Sequence, residues 1–223
     1  KEKAMLGVAF DGDGDRIAFI DEKGNLVNSS LITVLIAKDI LAKKPGSLIL
    51  YSVPMSKIIP DEIEKIGGRT MKARVGHSFI KQKAMEFNSP FGGELSGHYY
   101  FTETNYCESS FFVLIKILEI IEREKKPFSD IIKHYQKYFN SPEINFNVKN
   151  KTEIIEHLKQ NYTSKGGVLE EIDGATVSFP DWWFNVRPSN TENLLRLNVE
   201  AKNKELMEQK INELKHKIIN YDK

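Results

Sequence analysis

The sequence predicts an α/β protein, a mixed or mostly parallel sheet layered with helices, followed by a small α+β unit. Two observations carry this. Between Ser29 and Asn140, short apolar runs alternate with stretches whose apolar residues recur at helical spacing. After Ser141-Pro142 the order changes to strands parted by tight turns and two helical stretches.

Leu6–Phe10 and Ile17–Ile20 read as strands around the polar turn Asp11–Arg16, and Asp21-Glu-Lys-Gly-Asn25 as a second turn. A helix capped by Ser29 or Ser30 places Leu31, Val34, Leu35 and Leu41 on its buried side and stops near Pro45-Gly46. Leu48–Val53 is a buried strand. Ile58, Ile59, Ile63 and Ile66 mark a helix ending at Gly67-Gly68, with Pro60 near its start. A strand over 69–75 leads into Gly76-His77-Ser78 and a helix bearing Phe79, Ile80, Ala84 and Phe87. A helix from about Tyr106 to Arg123 is expected to bury Phe111, Ile115, Leu118 and Ile121 or Phe112, and another to span Ser129–Phe139. The second unit reads as a strand (Glu143–Val148), a helix (Thr152–Asn161), a hairpin turning at Asp173-Gly174, a strand running into Trp182-Trp183, a strand over Leu194–Ala201 and a helix from Asn203.

Composition narrows the function. The 223 residues include 32 Lys and Arg against 31 Asp and Glu, a net charge of +1, which argues against a nucleic-acid or membrane-surface protein held by bulk charge. The single cysteine, Cys107, allows no internal disulfide, and no ligand spacing suggests zinc; a reducing, cytoplasmic setting is expected. The apolar run Phe111–Ile121 is broken by Lys116 and Glu119 and is too short to span a bilayer. The chain starts at Lys1, and a piece of a longer protein is expected.

Three loops offer chemistry. In Asp11-Gly-Asp13-Gly-Asp15-Arg16, carboxylates at every second position can converge on a hard cation while glycine lets the backbone turn around it. An EF-hand also needs acids at these positions, and Glu22 falls at its twelfth, but Arg16 stands where that loop requires glycine. Few carboxylates beside an arginine suit Mg²⁺ sharing its coordination with a phosphate. A solvated turn is the plainer alternative. Gly92-Gly93-Glu94-Leu-Ser96-Gly-His98 presents an acceptor, a hydroxyl and an imidazole suited to sugar hydroxyls, or simply a polar turn facing water. Arg187-Pro-Ser189-Asn190-Thr191-Glu192 offers a guanidinium fork, hydroxyls and backbone N–H groups to a phosphate, or an ST-turn between strands. Gly76-His77-Ser78, at a helix start, is a weaker anion candidate in which His77 caps or faces solvent equally well.

In this order the loops resemble the α-D-phosphohexomutase superfamily, in its phosphomannomutase/phosphoglucomutase branch. Asp11–Arg16 is similar to that family's metal loop, Gly93–His98 to its sugar loop, Arg187–Glu192 to its phosphate loop, and Gly76–Lys81 to a further substrate-holding segment. The resemblance implies that residues 1–28 end a second domain, 29–140 form a third α/β domain, and 141–223 form a fourth, similar to the TATA-binding-protein fold. It implies reversible phosphoryl transfer from a phosphoserine to a hexose phosphate, with a hexose 1,6-bisphosphate as intermediate and activator. Asp11, Asp13 and Asp15 would hold one Mg²⁺, Arg16 would stabilise the transferred phosphoryl group, and Glu94 and Ser96 would grip the sugar. His98 and His77 would transfer protons or contact substrate phosphate, and Arg187, Ser189, Asn190 and Thr191 would bind the phosphate that stays. The family's serine loop, Thr-Ala-Ser-His-Asn-Pro in its common form, has no match in this sequence. The expectation is therefore a C-terminal fragment, inactive alone, whose partners are the preceding domains of the same enzyme. A phosphoglucosamine mutase fragment and a non-catalytic phosphosugar-binding protein are the alternatives; Leu95 and Asn190 favour a hexose-phosphate mutase, while Asn193 and the lysine-free Ser52–Ser56 turn depart from common patterns.

Overall fold

The computed structural model describes residues 3–222. The chain divides between Lys137 and Tyr138 into two units.

The first unit begins with an antiparallel sheet of β1 (Leu6–Phe10), β2 (Ile17–Asp21) and β3 (Leu26–Val27), in that order. Next come α1 (Ser29–Lys43), β4 (Leu48–Ser52), α2 (Ile58–Lys65), β5 (Arg69–Ala73), α3 (His77–Glu86), β6 (Phe91–Gly93), β7 (Tyr99–Phe101), a 3₁₀ turn, α4 (Ser110–Glu124) and α5 (Phe128–Lys133). Strands β5-β4-β6-β7 form a mixed sheet in which β4 runs parallel to both neighbours and β7 is antiparallel. All five residues of β4 are buried, as a central parallel strand covered on both faces requires. The cap of α1 is Asn28, whose side chain accepts from Ser30 N–H, rather than either serine. Pro60 sits in the first turn of α2, where its missing N–H leaves no helical bond unmade.

Two helix expectations need correction. Helix α4 starts only at Ser110, capped by Ser109, and buries Val113, Ile117, Ile120 and Ile121, leaving Phe111, Ile115 and Leu118 exposed at 70%, 52% and 42%. Its apolar residues run nearly all round the helix, so periodicity alone picks no face; Phe111 lies against Phe10 of β1 with ring centroids 5.3 Å apart. Ile117→Ala is expected to cost about 2–5 kcal/mol, and Phe111→Ser within about 1 kcal/mol, by denaturant unfolding. Equal losses would restore the other face. Helix α5 ends at Lys133, because Phe139 and Asn140 are taken by a strand of the second unit.

The second unit comprises β8 (Phe139–Asn140), β9 (Ile144–Phe146), α6 (Lys151–Thr163), β10 (Val168–Glu170), β11 (Ala175–Ser178), β12 (Trp182–Pro188), β13 (Leu195–Ala201) and α7 (Lys204–Tyr221). Its antiparallel sheet runs β10-β11-β12-β13-β8, with β9 also pairing β13. The strand expected to run into Trp182-Trp183 is two strands: Pro180 lacks a donor, and the chain reverses there through a Phe179 N–H bond to the Trp182 carbonyl. Phe184, Val186, Leu195, Leu197 and Val199 pack with Leu158, Tyr162, Leu214 and Ile218 of the helices into one core. The other face of β12 and β13 carries Trp183, Asn185, Arg187, Asn198 and Glu200, polar groups that are also buried. There Trp183 Nε1 donates to Glu200 at 2.6 Å. No helix among the described residues is long and apolar enough to cross a membrane.

Candidate functional site

In the first unit the loops at the carboxyl ends of the parallel strands meet, which is where open α/β sheets bind ligands. The Glu94–His98 loop joins β6 to β7 and is pinned by Leu95: its N–H donates to Ser52 Oγ at the end of β4 (3.2 Å), and its carbonyl accepts from Ser29 Oγ at the start of α1 (3.0 Å). Gly97 has φ +92°, and its carbonyl accepts from Ile17 N–H at 3.2 Å. A Cβ on Gly97 would lie 2.8 Å from the Ile17 carbonyl oxygen, so only glycine lets this loop sit against the chain just after Arg16. Gly97→Ala is expected to cost about 1–3 kcal/mol, read as a lower melting temperature; an unchanged value would remove this docking role.

The docking brings the metal-type loop and the sugar-type loop into contact. Arg16 Nε lies 3.2 Å from Asp11 Oδ2 and 3.3 Å from His98 Nε2, and the same His98 nitrogen lies 3.1 Å from Asp15 Oδ2. One ring nitrogen cannot accept from Arg16 and donate to Asp15 at once; neutral His98 suits the first contact, imidazolium the second. The other nitrogen is 2.8 Å from Ser96 Oγ and 3.3 Å from Glu94 Oε2. Burial works to lower the His98 pKa, but the Glu94 hydrogen bond and the charges of Glu94 and Asp15 outweigh it and Arg16's opposing charge, so the value is raised.

Glu94 is 2% exposed and fully engaged: Oε1 accepts from Gly76 N–H at 2.9 Å and Oε2 from Tyr100 Oη at 2.6 Å. Burial acts to raise its pKa, yet the hydrogen bonds from His98, Tyr100 and Gly76, with the His98 charge, hold it below the usual carboxylate range. A depressed folded pKa means Glu94 adds stability above its unfolded value, and this is lost as pH falls through the folded one. Melting temperature should therefore fall on acidification below about pH 4.5, less steeply in Glu94→Gln. Parallel curves would contradict this. Through Gly76 the same carboxylate ties in the third segment, where His77 is exposed in the first turn of α3.

Asp11, Asp13 and Asp15 each offer an oxygen within 4.8 Å of the others. Asp15 Oδ1 is buried without a hydrogen-bond partner, an orphan that a cation satisfies, and the all-carboxylate donors suit a hard divalent ion. At Asp11 desolvation raises the pKa, but the Arg16 N–H and guanidinium outweigh it and keep the carboxyl ionised further into acid.

Within the second unit, Arg187 is the penultimate residue of β12 and Arg196 stands directly opposite it on β13, with the Ser189–Leu194 loop between. Ser189 Oγ accepts from the N–H groups of Thr191 and Glu192, so the loop does contain an ST-turn, and Asn190 and Thr191 are exposed at its tip. Lys151, at the start of α6, hydrogen-bonds Asn193. Arg187 is only 2% exposed; its Nη2 donates to Glu143 at 2.9 Å and its Nε is 3.9 Å from Asp173. Gly174, at φ +64°, permits this: a Cβ there would fall 2.6 Å from that of Arg187. Sequence reasoning missed Tyr100, Glu143, Asp173 and Arg196. The alternation of β13 sets Arg196 off the core face, but its pairing with Arg187 follows from hairpin register, which no local signal gives.

A mixed α/β unit followed by an antiparallel sheet packed with two helices is the architecture of phosphohexomutase third and fourth domains. Two models match: "Phosphoglucomutase/phosphomannomutase, alpha/beta/alpha domain III" over residues 28–138 and "Phosphoglucomutase/phosphomannomutase, C-terminal domain" over 143–217. The chain belongs to the phosphoglucomutase/phosphomannomutase family. It is 45% identical over 222 residues to the phosphomannomutase of Methanocaldococcus jannaschii, covering all of this chain and 49% of that protein. It is 34% identical over 203 residues to the phosphomannomutase of Escherichia coli K12, covering 91% and 44%. The crystal structure of a phosphoglucomutase/phosphomannomutase family protein from Burkholderia thailandensis superposes with a TM-score of 0.85 at 27% identity, covering 96% of this chain and 46% of that one. The chain thus spans about half the length of the curated relatives it matches.

Proposed function

We propose that this chain is the sugar- and phosphate-binding part of a Mg²⁺-dependent hexose-phosphate mutase that interconverts hexose 1-phosphate and hexose 6-phosphate through a phosphoserine and a 1,6-bisphosphate. The observation that carries this is the contact of Arg16 and Asp15 with His98, which joins an acidic cation-type loop to a loop suited to sugar hydroxyls. Residues 1–28 belong, on this reading, to the domain that precedes the α/β domain, and the nucleophilic serine lies outside these 223 residues, so the chain alone does not turn over.

Asp11, Asp13 and Asp15 would hold Mg²⁺, which when bound neutralises charge on the phosphoryl group in transfer. Arg16 orients that group and adds positive charge to it. Ser96, exposed, takes one sugar hydroxyl, and Glu94, held ionised, takes another in exchange for the Gly76 N–H or Tyr100 Oη that it now binds. His98, when protonated, holds the Nε2 proton against Asp15 and gives it to a substrate oxygen, after which the neutral Nε2 accepts from Arg16 Nε. His77 contacts substrate phosphate from the start of α3. Arg187, Ser189, Asn190 and Thr191 bind the phosphate that is not transferred. The family is cytoplasmic on this reading, consistent with a lone, exposed, free Cys107.

The test is calorimetric titration of the 223-residue chain with glucose 1,6-bisphosphate in Mg²⁺, beside a coupled mutase assay. Bisphosphate binding without turnover is expected. No binding, or turnover that survives purification controls, would overturn the assignment.

A further inference from the structure

Arg187 and Arg196 are direct cross-strand partners, and like charges so placed repel. One carboxylate reconciles them. Glu143, just before β9, accepts from Arg187 Nη2 through Oε2 at 2.9 Å and faces Arg196 Nη1 through Oε1 at 3.2 Å. Arg196 Nη2 in turn donates to Glu192 of the loop at 2.9 Å. Both guanidinium groups keep a buried Nε–H without a hydrogen-bond acceptor: Asp173 Oδ2 stands 3.9 Å from that of Arg187, too far for a hydrogen bond, although Arg187 is only 3% exposed along its side chain. A desolvated arginine with an unused donor is an anion site whose present occupant satisfies it in part. A carboxylate brings one negative charge and two oxygens; a phosphate ester brings more charge and three.

We propose that Glu143 is an internal stand-in for substrate phosphate: its carboxylate holds the Arg187 guanidinium in the ligand-free protein, and an arriving phosphate displaces it onto Arg196. Phosphate capture at this hairpin is then an anion exchange, and Glu143 is a positioning residue that limits affinity. This rests on the reading of Arg187–Thr191 as a phosphate loop. It deepens that reading, because a mutase whose bisphosphate must release and rebind the other way round gains from a hold that is weakened in advance.

Glu143→Gln keeps the size and a carbonyl acceptor but removes the competing charge. It is expected to bind glucose 1,6-bisphosphate about three- to tenfold more tightly by calorimetry. Arg196→Gln, which deprives the displaced carboxylate of its second partner and leaves it on Arg187, is expected to bind about threefold or more less tightly. The double variant should match Glu143→Gln alone, since Arg196 acts through Glu143. Circular dichroism and melting curves accompany each titration, and damage to the fold cannot produce tighter binding. Unchanged or weaker binding in Glu143→Gln, with the unaltered chain binding normally, would overturn the exchange while leaving the phosphate loop intact. If the unaltered chain does not bind the bisphosphate, the phosphate-loop reading itself fails.

Discussion

Arg187→Ala is expected to lower the affinity for glucose 1,6-bisphosphate by about a hundredfold or more, the worth of two charge-assisted hydrogen bonds at a desolvated site. The substitution also leaves Glu143 and Asp173, whose side chain is 5% exposed, without the cation between them, so the second unit should lose about 3 kcal/mol of stability, as when one partner of a buried pair is removed. Arg187→Lys separates the two effects. It keeps the charge between the carboxylates but not the planar fork, and should cost about tenfold in affinity with a smaller change in melting temperature. Full-strength binding by the alanine variant would remove Arg187 from the site.

The second large effect is expected at Asp13. Asp11 is tied to Arg16 and Asp15 to His98, so Asp13 is the carboxylate whose removal disturbs the apo loop least. Asp13→Asn should lower Mg²⁺ affinity at least about tenfold, because one of three anionic donors becomes neutral. Stability in metal-free buffer should hold or rise slightly, since the carboxylates repel one another when no cation lies between them. Opposite signs in the two measurements are the signature of a cation site; equal Mg²⁺ affinity in both proteins would leave the loop a solvated turn.

Most of the candidate loops were legible in the chain because each is local. Three aspartates in strict alternation, Glu94 to His98 within five residues, and Arg187 to Thr191 in one turn each declare themselves without a partner. The parallel core was equally plain, since a run such as Leu48–Val53 between turn residues has few other uses. Illegible were features fixed by what a segment packs against. The apolar surface of α4 offers two candidate faces, and tertiary contact chose the one through Ile117. Phe139 closes the helix expected from Ser129 but is claimed, with Asn140, by a ladder with β13. Glu143 meets Arg187 across a sequence separation of 44 residues, so its place beside the β12–β13 hairpin belongs to the fold.

The position of β13 has a consequence for the order in which the protein forms. This strand lies inside its sheet, with β12 on one side and β8 and β9 on the other, so the first strands of the second unit acquire their neighbour almost last. Asn140 and Glu200, hydrogen-bonded at 2.6 Å, are 60 residues apart in sequence. Closing such a loop costs chain entropy before any pairing rewards it, which slows folding. On a ribosome, the β4-α2-β5 crossover can assemble from contiguous chain as it emerges, whereas the β12–β13 hairpin is incomplete until Ala201 is free. The hairpin and the pairing of β8 and β9 with it therefore come late, after the contiguous β10-β11-β12 meander.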